Sequence, residues 1–422
     1  MLHFVAFPGH EPSEAPPRLA IRADLLLSCR ELSLARQIRG NRAMAVASHP
    51  ESTRLDRLLG YLEQDPANPQ LVADAATCAF EAGSLDQCEA LLARYQAAHA
   101  LPPALVHLRG LLAMARGEFG KAVEWFEALG ELAGQPAVRY NIAYAQAMSG
   151  RHEAAAMLDQ AVLGAIPEAA TLKLRGLHAL GRLDEARQFG LAHAERANAD
   201  ATLVGAVATL MFDRGELDAA QRLAARAPDT ADGLVIAGLV ALDDNDVPSA
   251  TKLLQRALQH NPREARATLG LGLCLFAEAR FEAAGGMLDD AAARLATHAG
   301  AWVAAGWAYL LDGKAGAARE RFEHAVELDR GMAEAHGALA VAEFQEDRLQ
   351  EARHHAQVAL RLDPACLSGA LAQSLLTGHH GDADGADAIR QAVLNRPLDR
   401  HGRSLMQVLI SRGHLAGNRQ LH

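Results

Sequence analysis

Apolar and polar residues in this chain nowhere alternate at period two for long enough to make a strand, so the pattern predicts helices. At one phase of that pattern a small residue keeps returning: Cys88, Ala122, Ala155, Ala186, Ala220, Ala250, Ala284, Ala318, Ala352 and Ala386. Six of the nine intervals are 34 residues, and the others are 33, 31 and 30. A period in this range, with Ala held at one phase, marks stacked helical hairpins. The cause is steric. Two antiparallel helices approach closely only where they cross at a residue with almost no side chain, so each hairpin needs its own.

A second small position lies twelve residues earlier: Ala76, Gly110, Ala143, Leu174, Ala208, Gly238, Gly272, Gly306, Ala340 and Ser374. Leu174 alone breaks the rule, in a repeat whose spacing is also irregular. Between the two positions a turn is expected, where Gly83, Gly117, Gly150, Gly181, Gly215, Gly313 and Gly381 share a phase. Glycine takes the left-handed backbone that ends a helix without steric cost. Asn245 serves tolerably at that phase, whereas Ala279 and Asp347 are poorly suited. An apolar residue and an acid often follow, as in Leu85-Asp86, Leu183-Asp184, Leu217-Asp218 and Phe281-Glu282. The acid favours the positive end of the next helix dipole.

With these positions in hand, the chain resembles the tetratricopeptide repeat family. Residues Ala299 to Pro364 carry the pattern most fully: Trp302, Ala305-Gly306, Tyr309, Gly313, Ala318, Phe322 and Ala325, then Leu339-Ala340, Ala352, Ala359 and Pro364. Gly238, Ala250, Ala257 and Pro262 repeat it upstream. The resemblance implies an all-α fold, a right-handed superhelical solenoid of antiparallel helix pairs. Ten repeats are expected, starting near Pro69, Pro103, Pro136, Pro167, Ala201, Ala231, Ala265, Ala299, Ala333 and Leu367. The expected organisation is an N-terminal arm with a helix (1–51), a capping helix (52–68), repeats one to five (69–230), repeats six to ten (231–398), and a C-terminal capping helix and tail (399–422). Pro228 truncates a second helix and is expected to mark a seam between the two halves.

Composition narrows the function. The chain carries 51 acids against 41 Lys and Arg, a net charge of −10, and no sustained basic stripe. Nucleic acid is therefore not an expected partner. Met1 to Phe7 is too short for a secretory signal, and no run approaches the ~20 apolar residues of a membrane span. The five cysteines, Cys29, Cys78, Cys88, Cys274 and Cys366, include no CxxC pair, so they suggest neither a disulfide framework nor a zinc site. A reducing, cytoplasmic setting fits. Ala308 to Ala315 only loosely echoes a phosphate loop, lacking its first Gly and its Ser/Thr. The one dense ligand cluster, His379 to Asp387, reads as a polar turn whose Asp caps the next helix, with a metal-dependent regulator or enzyme as the alternative. No cofactor and no enzymatic activity are expected.

The resemblance also implies where binding occurs, because in this family the first helix of each repeat lines the concave face. Carried over residue by residue, that face holds Leu111 and Met114, then Tyr140, Tyr144 and Met148, then Arg175. Further along it holds Phe212, Leu239, Phe276, Trp307 and Phe344. His107, Thr171, His178, Leu242, Leu273, Val303, Leu310 and Val341 fall on the same positions. A long strip of large apolar residues is a binding feature, with aromatic anchors carrying most of the energy. The Lys and Asn pattern by which related modules hold acidic chaperone tails is absent: Ala73, Thr77, Ala104, Tyr140 and Tyr144 stand there. The expected function is a protein–protein adaptor or chaperone scaffold that holds a partner's helix or extended segment in an apolar groove. By family analogy it would serve bacterial secretion or envelope assembly. A self-associating structural scaffold is the alternative among binding roles.

Overall fold

A computed structural model describes residues 50–66, 68–196 and 198–395. The expected N-terminal arm up to residue 49, with Cys29, and the expected C-terminal capping helix from 399 lie outside the described residues. Within them the chain is all-α. It divides into two compact units between Val207 and Ala208.

The first unit opens with α1 (Pro50–Gln64), whose Leu55 and Leu62 are buried and whose Leu58 and Leu59 pack against the same core. Hairpins follow: α2 (Pro69–Glu81) with α3 (Leu85–Ala98), and α4 (Pro103–Ala115) with α5 (Phe119–Glu127). α6 (Pro136–Met148) is answered by a broken second helix, α7 (Glu153–Ala156) and α8 (Gln160–Ala165). Next come α9 (Ala169–Ala179) and α10 (Leu183–Ala194), and α11 (Ala201–Asp213) carries the division between the units. Prolines set the entries of α2, α4 and α6, where a missing N–H costs nothing.

After the short α12 (Leu217–Arg226), which stops just before Pro228, the second unit is more regular. Its hairpins are α13 (Ala231–Asp243) with α14 (Val247–His260), α15 (Ala265–Ala277) with α16 (Phe281–Arg294), and α17 (Ala299–Leu311) with α18 (Ala315–Leu328). Then come α19 (Ala333–Gln345) with α20 (Leu349–Leu362), and α21 (Leu367–His379) with α22 (Ala383–Leu394). A buried pair, Arg266 on α15 and Asp213 on α11, is joined by two parallel 3.0 Å hydrogen bonds. Glu334 on α19 reaches across to accept from the backbone N–H groups of Leu367 and Ser368, capping α21.

Every residue of the recurring small phase is buried, from Cys88 to Ala386. The geometry shows what the partner phase is for. A Cβ on Gly110 would lie 2.7 Å from Cδ1 of Phe126, and one on Gly306 would meet Phe322 equally closely. Gly238 and Gly272 stand in the same relation to Leu254 and Leu288, both at 2.7 Å. In each case the large residue sits four places after the buried Ala, so a notch on the first helix receives a knob from the second. Leu254 fills a further notch at Gly270 on the next hairpin, 2.8 Å from a Cβ there, which links neighbouring repeats.

Leu174 therefore has a physical account. Four residues after Ala186 stands Gly190, and a Cβ on Gly190 would lie 3.0 Å from Cδ1 of Leu174 and 2.9 Å from Cγ2 of Val207 on the next helix. The knob and the notch have exchanged helices.

All ten hairpin turns have the left-handed residue: seven glycines, plus Asn245 (φ 67°), Ala279 (φ 59°) and Asp347 (φ 60°). The N–H one residue later reaches back to the carbonyl five residues before it, as from Ser84 to Ala79 and from Lys314 to Tyr309. That is the helix-ending pattern in which the left-handed residue satisfies the last carbonyls.

Two outcomes follow for stability. Leu174→Ala should cost about 3 kcal/mol by leaving a cavity. Gly190→Ala should cost about 1–2 kcal/mol by overpacking. The double variant should be more stable than the sum by about 1 kcal/mol, because the smaller residue makes room for the larger. Urea unfolding of the four proteins measures this coupling. Ala279→Gly should raise stability by roughly 1 kcal/mol by relieving the left-handed backbone at a position with a side chain.

Candidate functional site

The first helices carry the candidate strip, and each unit presents its own part. In the first unit, Leu111 and Met114 on α4 are buried in the core that also holds Phe126. Tyr140 on α6 is buried as well, and burial pushes its phenol well above the ordinary range. Packing against the neighbouring repeat claims these three, which corrects their expected place on an open face. Tyr144, Met148 and Arg175 are half-buried. The rings of Tyr140 and Tyr144 lie 6.3 Å apart, and Arg175 is near enough to offset part of the Tyr140 shift. So α6 and α9 bring together two tyrosines and one cation.

His107, on the same expected face, is an interior residue. Its ring lies tilted against that of Phe126, 5.4 Å between centroids, and Asn141 Nδ2 donates to its Nε2 at 3.4 Å. Burial holds its pKa down to about 4, so it is neutral at physiological pH. Thr171 and His178 are buried in the same way.

In the second unit Phe212 and Leu239 are buried, as are Leu242, Leu273, Val303, Leu310 and Val341. Phe276, Trp307 and Phe344 remain half-buried. They stand eleven, eight and eleven residues after the starts of α15, α17 and α19. A difference of three keeps them on one helical face. Each ring is braced by another: Phe276 by Phe281 at 5.4 Å, Trp307 by Phe322 at 5.8 Å, and Phe344 by His379 at 5.9 Å. The neighbour that sequence reasoning missed is Leu311, 50% exposed and four residues beyond Trp307. Spacing from Trp307 would have found it; Leu310, which was expected on the face, turns inward.

The strip is thus narrower than expected, a row of braced aromatics with their outer edges open. It offers apolar contact area at low entropy cost, because each ring is already held.

Little in the described residues suggests chemistry. Asp382 accepts from the N–H of Gly385 at 2.9 Å and caps α22. His380 Nε2 faces Arg353 Nη2 at 2.5 Å, and His379 is engaged with Phe344, so the two imidazoles serve different neighbours. Among the described residues no group of three or more His, Cys, Asp or Glu converges as a metal site. Cys78, Cys88, Cys274 and Cys366 are buried free thiols, and burial pushes Cys88 and Cys366 up to about 12. No described helix is long and apolar enough to cross a membrane.

The state of His107 sets a pH dependence. Its folded pKa of about 4 lies below the ordinary 6.5, so the unfolded chain takes up the proton first as pH falls. Stability should drop from about pH 6.5 to about pH 4 and change little from this group beyond, by about 3 kcal/mol in total. Burial lowers His336 in the same direction, so the readout is a difference. The His107→Gln variant should lose about one proton's worth of slope in unfolding free energy against pH across that window.

Comparison with known proteins agrees with this architecture. Residues 237–301 and 303–365 each match the tetratricopeptide repeat profile. No curated protein sequence matches the chain. Among solved structures, the chain resembles the APC/C hetero-tetramer Cut9–Hcn1, at 14% identity and a TM-score of 0.52 over 87% of this chain and 82% of that one. PilF of Pseudomonas aeruginosa aligns at 21% identity, with a TM-score of 0.38 over 50% of this chain and 92% of PilF. YrrB, described as a TPR protein with an unusual peptide-binding site, aligns at 20% identity, with a TM-score of 0.35 over 44% of this chain and 97% of YrrB. Residues 237–301 and 303–365 are thus tetratricopeptide repeats, and helix pairs of the same turned build stand on either side of them.

Proposed function

We propose that the protein is a binding scaffold that holds a helix or extended segment of a partner protein against the aromatic strip of its first helices. Tetratricopeptide repeat scaffolds commonly mediate protein–protein interaction, which supplies the class of function. The observation that carries the finer reading is the row Phe276, Trp307 and Phe344. Three large rings on successive first helices each lie against another ring and stay half-buried. A core has no need of that exposure, and an amphipathic helix or apolar segment supplies matching anchors at intervals. The role is that of an adaptor or chaperone without catalysis of its own. In the first unit Tyr144, Met148 and Arg175 extend the same kind of surface, with Arg175 adding a polar contact.

The test is capture of partners from lysate of the source cell by wild type and by a Trp307→Asp/Phe344→Asp variant. Circular dichroism would confirm that the variant is folded. A partner held by wild type should bind the variant at least about tenfold more weakly, as expected when two aromatic anchors are lost. Equal retention would move the binding surface off this strip. A concentration-dependent size with no partner retained would favour self-assembly.

A further inference from the structure

Between α3, α4 and α5 lies a cavity of 220 Å³ that shares no residue with the aromatic strip. α4 supplies its floor with Arg109 and Leu112, and Arg116 follows as the residue that caps the end of that helix. Glu89 of α3 forms one wall, and Trp125 and Lys121 of α5 form the other. In a chain of net charge −10, this hollow gathers three cations around two carboxylates, Glu89 and Glu118.

Each cation there has an acid, with Lys121 Nζ donating to Glu118 Oε2 at 2.9 Å, but the donors of Arg109 are not all met. Arg109 Nη1 donates to Glu89 Oε1 at 2.8 Å, while Arg116 Nη1 reaches the other oxygen of the same carboxylate at 3.4 Å. One acid is shared by two guanidinium groups. Arg116 directs its Nη2 to Asp86 and to the Leu85 carbonyl, at 2.8 and 3.3 Å, so it has alternatives. Arg109 has none among the described residues: its Nε is buried without an acceptor. Its side chain is only 12% exposed and lies against the Trp125 ring, 5.3 Å from the centroid.

A guanidinium fixed on an aromatic face and short of acceptors is a recognition group for a carboxylate. Trp125 and Leu112 add apolar wall beside it, which suits a carboxylate carried next to an apolar side chain. Glu89 is 37% exposed and can give up its place to water.

We propose that this cavity is a second binding site, separate from the strip, which takes an acidic residue beside an aromatic or aliphatic one on a partner's peptide segment. Glu89 occupies part of that place in the free protein and competes with the incoming carboxylate. The ligand's acid joins Arg109, and its apolar neighbour lies on Trp125.

The experiment uses the full chain with Trp302→Phe and Trp307→Phe, which leaves Trp125 as the sole tryptophan of three. Its fluorescence is followed during titration with N-acetyl-Glu-Phe-amide, N-acetyl-Gln-Phe-amide and inorganic phosphate. The Glu peptide should bind saturably, and the Gln peptide about tenfold more weakly, as expected for loss of a charge-assisted pair. Arg109→Gln should abolish the difference. Glu89→Gln should tighten the Glu peptide about threefold or more, because it removes the internal competitor. A purely structural ion-pair network would give no such gain. Equal binding of the two peptides would overturn the proposal, as would no gain from Glu89→Gln or phosphate binding as tight as the Glu peptide. If Arg109→Gln does not fold, the peptide pair and Glu89→Gln decide the matter alone. None of these outcomes bears on the aromatic strip.

Discussion

Four of the hairpins depend on one close approach, where a large side chain of the second helix enters a glycine notch on the first. Phe126 over Gly110 and Phe322 over Gly306 leave no room even for a methyl group. A helix pair buries little apolar surface by itself, so its stability comes from contact with its neighbours in the stack. The notch sets how near the two helices lie, and the knob determines what the next hairpin meets. Leu254, seated between Gly238 and Gly270, performs both tasks with one side chain. At the junction of α19 and α21 the approach is to backbone instead of to a side chain. There a Cβ on Gly337 would lie 2.7 Å from the backbone carbonyl carbon of Ser368.

Much of this was legible because the constraint is local and repeated. A small residue at fixed phase and a turn that prefers glycine leave marks wherever the hairpin recurs. The fourth repeat shows where single-position reading stops. Leu174 looks like a violation until Gly190 is seen opposite it. The physical requirement is on the sum of two side chains, and a rule written for one position cannot express it. Ala279 and Asp347 make the complementary point. The backbone takes the left-handed turn at every hairpin, so the stack tolerates an unfavourable residue where the neighbouring contacts over-determine the bend.

The binding face was less legible, and the reason is again packing between repeats. First-helix positions alternate between facing the adjacent repeat and facing outward, and a shift of one residue decides which. Leu310 and Leu311 differ by one step, yet the first is buried and the second half exposed. His107, Tyr140 and Phe212 occupy positions that the family pattern would leave open, but local neighbours close over them. What stays accessible is a subset whose rings each lie against another ring, which at Trp307 is a knob residue. Trp307 rests on Phe322, the side chain that fills the notch at Gly306. The element that holds the hairpin together therefore also positions the ring offered to a partner.

The cavity at Arg109 could not be read from any one repeat, since it takes a wall from α3, a floor from α4 and a second wall from α5. Yet its origin is the same. Gly110 lets α5 come close to α4 by admitting Phe126, and Trp125 adjoins that knob in sequence. With Phe126 committed inward, the adjacent residue is turned toward the flank of the pair, where it meets Arg109. A notch that fixes the helix separation thus leaves an aromatic beside a guanidinium on the other side of the same helix. Substituting Gly110 should accordingly disturb both the hairpin core and the Arg109 site, whereas changes at Glu89 should alter the charge of the site and leave the core as it is.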